Sequence, residues 1–342
     1  MLYHGTLEVV HFYRFCVREL TMDKNLDYAH IYKTLNTSVK SRGFFRKASQ
    51  TGSIGDFALL AKNLSSQGCP ELAASFWLGE AQCESGAKNT LAEASSLFTA
   101  AQMFIQAEDK LDSINAVSYN ENADCATMCL LRAAKIYEDG ELFTLAANVY
   151  IYLCDALMRR KRWAETLPFL NRALEILSRD KMCSLQVLRR LAACQLNLHD
   201  WPGALNSCLR IQAMIIDPEC IDEDTSTVEL CGHYWVTAEV FRVFLALLTC
   251  PSQRLNTQDH QGYSLDQYFT YDEQELFGDK QCPRLDEDLF LHLQSLVLAH
   301  SAGDLIGLEA ASRLIQPHLE LDQQELLCPL VNAMANPFGG AL

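Results

Sequence analysis

The residues of this chain best suited to chemistry by type and spacing are few. Cys125 and Cys129 lie four apart, so on a helix they would share one face and could take two positions around a metal ion. No neighbouring histidine or second cysteine pair completes a tetrahedral set, so no metal site is expected. Cys231 and His233 pair a nucleophile type with a base type, yet two such residues at a helix start more often serve structure. The basic run Arg159-Arg160-Lys161-Arg162 is the sharpest charge feature. At a helix C-terminus it would complement the partial negative charge of the last carbonyls. Docking of an acidic partner and nuclear import are the other readings. Gly-x-x-x-x-Gly-Lys-Ser/Thr, Gly-x-Gly-x-x-Gly, Gly-x-Ser-x-Gly and His-Glu-x-x-His do not occur, which removes the commonest nucleotide, hydrolase and metalloprotease readings. The expectation is a protein without catalytic residues, cofactor or metal.

Composition narrows the partner. A formal charge of -15 and a pI near 5.0 disfavour nucleic acid, whose counterions must be displaced by Lys and Arg. A protein partner with a basic surface fits better, and plain solubility is the equal alternative, since net negative charge keeps soluble proteins apart. The 14 cysteines are scattered over apolar helical positions such as Cys129, Cys154, Cys194 and Cys208, as small buried hydrophobes are, which implies a reduced, cytosolic setting. The first 16 residues make a poor signal peptide, since Glu8, His11 and Arg14 interrupt their apolar stretch. The strongest apolar run, 234–249, contains Glu239 and Arg242 and is too short to cross a bilayer core of about 30 Å, so no transmembrane segment is expected.

The elements that must carry these residues read as helices throughout. Phe57, Leu60, Ala61 and Leu64 keep the i, i+3, i+4, i+7 interval, and the pattern resumes at Leu72 to Ala81 and Leu91 to Ile105. Residues 112–122 are polar and turn-rich and read as a break. Beyond it an aromatic opens successive segments with a small or apolar residue close behind: Phe143 with Ala146, Trp163 with Leu167, Trp201 with Gly203 and Ala204. At such a corner the ring would plug the wedge between two helices, and the small residue would let their backbones approach. Trp163 and Trp201 stand 38 residues apart, close to the repeat of about 34 in tetratricopeptide units. The predicted fold is all-α, a tetratricopeptide-like helical-hairpin solenoid, with the three corner rings largely buried.

The predicted organisation has an N-terminal extension at 1–25 and a solenoid at 26–216. An acidic loop follows at 217–228, a helix at 229–250, and a polar, partly disordered loop at 251–285. A C-terminal helical module at 286–334 and a flexible tail at 335–342 complete the chain. Asp286, Glu287 and Asp288 open the C-terminal module. They and the apolar helix behind them, Phe290 included, are candidates for a partner interface, with stabilisation of the helix N-terminus as the alternative. The basic run 159–162 is the other candidate surface.

Three stretches carry a resemblance: residues 32–48, which include Phe45-Arg46-Lys47; Leu191-Ala192-Ala193-Cys194-Gln195-Leu196 followed by Asp200-Trp201-Pro202-Gly203-Ala204-Leu205; and Leu285-Asp286-Glu287-Asp288-Leu289-Phe290-Leu291-His292-Leu293-Gln294-Ser295-Leu296-Val297-Leu298-Ala299. The chain resembles the forty-kilodalton huntingtin-associated protein (factor VIII intron protein) family from about Leu26 to Leu330, as a non-vertebrate member would. The third stretch is the most specific. The first 25 residues have no counterpart, and acidic loops stand where vertebrate members carry a Pro/Ala-rich insert. The resemblance implies a non-enzymatic adaptor that forms a one-to-one heterodimer with huntingtin, wedged between its helical-repeat domains, and stabilises it. It also implies recruitment of huntingtin to early endosomes through a Rab GTPase, hence a cytoplasmic protein with a peripheral early-endosome pool. The stretch from Lys135 to Ala147 is similar to the soluble NSF attachment proteins, also helical solenoids. That likeness implies the alternative role, in SNARE complex disassembly.

Overall fold

The computed structural model describes residues 27–40, 47–216, 225–249, 264–269 and 285–336. Residues 1–25, the tail beyond 336 and most of the predicted loops lie outside them. Among the described residues there are 13 α-helices and no strand. They sort into two compact units, Met1–Arg160 and Lys161–Leu342. The first holds α1 (Tyr28–Lys40), α2 (Lys47–Ser66), α3 (Pro70–Gly86), α4 (Thr90–Ser113), α5 (Glu121–Asp139) and α6 (Phe143–Arg159). The second holds α7 (Trp163–Ile176), α8 (Lys181–Asn197), α9 (Trp201–Ile216), α10 (Thr225–Thr249), α11 (Glu287–Ala302), α12 (Leu305–Ile315) and α13 (Leu321–Ala335), with a 3-10 turn at Asp266–Tyr268. From α2 to α6, and from α7 to α10, each helix packs on the next, as a helical-hairpin stack does; α11 to α13 form a second run whose first and last helices also touch α10.

One turn recurs. Gly68, Lys88, Glu141, Lys161, His199 and Gly303 all take φ between 57° and 75°, each just past a helix end and two residues before the next helix. At five of them the N–H that follows reaches back five residues: Cys69 to Leu64, Asn89 to Glu84, Leu142 to Tyr137, Asp200 to Gln195 and Asp304 to Ala299, all at 2.8–3.0 Å. This satisfies carbonyls that the ending helix leaves unpaired and reverses the chain in two residues. Asp200 and Asp304 then cap the next helix by accepting the N–H of Gly203 and Gly307, at 3.1 and 3.0 Å.

The corners are built differently from the sequence expectation. Phe143, Trp163 and Trp201 are each the first residue of a helix, but Phe143 is 51% exposed and the two tryptophans are half-buried. A ring on the first residue covers the end of a helix pair without entering the seam. The seam is closed by Ala146 and Ala204, both fully buried, while Leu167 and Gly203 are half-buried. A methyl in the seam leaves room for the close backbone approach that a ring would block.

The first core centres on aromatic rings. Tyr32, Phe57 and Phe76 meet with centroids 5.5–6.1 Å apart, joining α1, α2 and α3. Gly79 lies against the Phe57 ring so closely that a Cβ there would come within 2.5 Å of it. In the second unit, α10 begins at Thr225, inside the segment predicted as acidic loop. Within the predicted polar loop, residues 264–269 are folded onto α10, with Leu265 and Tyr268 buried.

Candidate partner-binding surfaces

The basic run is not one patch. Arg159, in the last turn of α6, and Lys161 are exposed. Arg160 is folded back onto α4, donating to Asp109 at 2.6 Å and Asp112 at 2.7 Å. Arg162 grips Glu165 with two hydrogen bonds of 2.6 and 2.7 Å. Half of the run is thus committed to intramolecular pairs that fix the helix ends it joins.

Asp286, Glu287 and Asp288 are all exposed at the start of α11, and Asp286 makes no side-chain capping hydrogen bond. Phe290, predicted to face a partner, is 5% exposed and stacks on Tyr268 with centroids 5.2 Å apart. The reason is helical phase: residues 289, 290, 293, 296 and 297 form the inward stripe, which leaves Leu291 and Leu298, seven apart, facing outward. Those two leucines, behind three carboxylates, are the apolar part of this surface.

Tyr268 belongs to a buried polar cluster. Glu239 accepts hydrogen bonds from Arg242 (2.7 Å), Gln212 (2.7 Å), Gln267 (2.8 Å) and the Tyr268 hydroxyl (2.9 Å), and Arg242 also donates to the Ser264 carbonyl at 2.8 Å. Burial works to raise the Glu239 carboxyl, but Arg242, Gln212 and Tyr268 together hold it below the usual carboxylate range. The cluster ties α9, α10 and the 264–269 segment together, and through Tyr268 it supports α11. The sequence signal was a glutamate and an arginine three apart inside an apolar run.

Cys125, Cys129 and Cys231 show no activation. Burial pushes Cys129 up to about 12 and raises Cys125, with the Asp124 and Glu121 carboxylates adding to the latter. Cys231 is also raised by burial, and His233 lies 3.5 Å from Glu320 at the surface. The ten described cysteines are free thiols. Among the described residues no three His, Cys, Asp or Glu side chains converge on a metal-sized site, and no helix is long and apolar enough to cross a membrane.

The loop between α4 and α5 was read as a polar break. It exposes three large apolar residues, Ile114 (67%), Val117 (85%) and Tyr119 (78%). Two or more such residues inside a turn-rich segment was the available signal. In the second unit Ile306, Leu314 and Leu321 are exposed as well.

No family model matches the chain. Two curated proteins do resemble it, the 40-kDa huntingtin-associated proteins of Rattus norvegicus and Mus musculus. Each is 25% identical over an alignment that covers 92% of this chain and 94% of the relative. The likeness runs through both helical units and the segments between them. Along nearly its whole length, then, the chain is similar in sequence to the 40-kDa huntingtin-associated proteins of these two organisms.

Proposed function

We propose that this chain is a non-enzymatic helical adaptor that binds huntingtin one to one. The end-to-end similarity to proteins named for their association with huntingtin carries this reading. Exposed carboxylates at Asp286, Glu287 and Asp288 beside outward Leu291 and Leu298 support it, because they join apolar area to a charge that complements a basic partner. In the finer form of the proposal the chain is wedged between helical-repeat domains of huntingtin, stabilises it, and takes part in its recruitment to early endosomes through a Rab GTPase. The whole chain co-expressed with huntingtin from the same source should elute as a heterodimer, with light scattering giving a one-to-one mass. Separate elution of both proteins at micromolar concentration would refute the reading. The endosomal part is tested apart from that, by imaging huntingtin on early endosomes with and without this chain; an unchanged endosomal fraction would remove it.

A further inference from the structure

The loop 114–120 exposes apolar side chains, yet its backbone is firmly held. Asn115 and Asn120 take left-handed φ of 51° and 63°, and the N–H of Ala116 bonds the Leu111 carbonyl at 3.0 Å. Between them, the Ser118 hydroxyl donates to Glu108 Oε1 and accepts the N–H of Asn120 at 2.9 Å. Glu108 is 1% exposed, and its Oε2 has no hydrogen-bond partner. Burying a carboxylate on so few partners costs stability. What it achieves is local: Ser118 is anchored inward, while its neighbours Val117 and Tyr119 are exposed. A fixed loop has already met the ordering cost that a flexible one would meet on binding.

The charges around the loop indicate the occupant. Glu121 and Asp124 lie exposed in the first turn of α5, directly after the loop, and Asp109 and Asp112 precede it on α4, where Arg160 bridges them. An acidic rim is repelled by an anionic lipid surface. It is repelled equally by a second copy of a chain whose formal charge is -15. It attracts lysine and arginine.

We propose that loop 114–120 is a preformed docking knob whose Val117 and Tyr119 enter an apolar pocket, rimmed by Lys or Arg, on the chain's protein partner. The assignment rests on huntingtin being that partner and adds where and how it is gripped. The test is titration of purified huntingtin with the full chain at increasing KCl, for the wild type, V117S/Y119S and E121K/D124K. Both apolar side chains face solvent, so V117S/Y119S should keep the wild-type melting temperature while weakening association about tenfold or more, the scale of a lost anchor. E121K/D124K should weaken it too, and flatten its salt dependence. If the wild type binds and both variants match it, the knob is refuted while the partner stands. If the wild type does not bind huntingtin, both fall together. Flotation with phosphatidylserine vesicles that V117S/Y119S abolishes would assign the loop to lipid and overturn the proposal. A wild-type dimer in light scattering that V117S/Y119S dissolves would overturn it in favour of self-association.

Discussion

Glu80 on α3 is a carboxyl in the wrong medium. Its Oε2 has no hydrogen-bond partner, and burial pushes its pKa from 4.5 to about 7, with the Glu84 charge adding to the shift and Lys62 opposing it. Because the folded value lies above the unfolded one, the group's contribution is fully present below about 4.5 and is lost as pH rises through about 7. Glu80→Gln removes that loss. It should raise the free energy of unfolding at pH 8 by roughly 1 kcal/mol once solvent screening is discounted, and change it little at pH 5, as read by urea titration at each pH. Equal effects at both pH values would refute the assignment. The Glu239 cluster has the opposite character, since every atom of its carboxylate is used. Arg242→Ala should cost about 3–5 kcal/mol by leaving a buried carboxylate without its cation, and should open 264–269 to proteolysis. Tyr268→Phe, which removes one donor of several, should cost about 1–2 kcal/mol, and a urea titration reads both variants.

At the scale of elements, the recurring turn sets where each hairpin reverses. Two of the six residues that take its left-handed position are glycine, and Lys88, Glu141, Lys161 and His199 are not. A side chain there costs on the order of 1 kcal/mol, because its Cβ crowds the backbone. Lys88→Gly and Glu141→Gly should therefore each stabilise the protein by about 0.5–1 kcal/mol, although glycine is unfavourable within a helix. The two sites lie at separate turns, so the double variant should show nearly the sum in urea. A loss of stability in either would mean that the replaced side chain holds the turn by contacts stronger than the strain. The same turns explain why the rings at 143, 163 and 201 stay near the surface: the residue that opens a helix after so tight a reversal sits at the end of the seam, and the small residues three positions on, Ala146, Thr166 and Ala204, sit inside it.

For the whole molecule the relevant quantities are charge and uncovered apolar surface. A formal charge of -15 and exposed acids beside loop 114–120 and at the start of α11 favour a basic partner, and the outward Leu291 and Leu298 add area that association would bury. Reversing Asp286, Glu287 and Asp288 together should weaken binding to huntingtin and reduce its salt dependence. An unchanged affinity across a salt series, with the melt intact, would confine the three carboxylates to stabilising the N-terminus of α11. A partner that binds the folded chain stabilises it by mass action, so the melting temperature of this chain should rise with added huntingtin.

Local physics made much of this legible in the sequence. Apolar spacing of three and four marks a helix wherever the chain later packs, and a residue such as His199 followed by Asp200 and Trp201 marks a reversal through its own backbone and cap. The fold class, the helix at 143–158 and the corner at 199–201 follow from interactions within a few residues. What the sequence alone could not decide is which side chains the packing uses up. Phe290 looked available until α11 turned it onto Tyr268, and half of the basic run at 159–162 is consumed by Asp109, Asp112 and Glu165. Glu239 and Arg242 could be paired from their spacing, but Gln212 and Tyr268 complete the cluster from 27 and 29 residues away. The loop 114–120 read as polar because its asparagines and serine are the residues of turns, and they do hold the turn; that Val117 and Tyr119 remain outside follows from the buried Glu108, which anchors Ser118 inward and so turns the residues on either side of it outward.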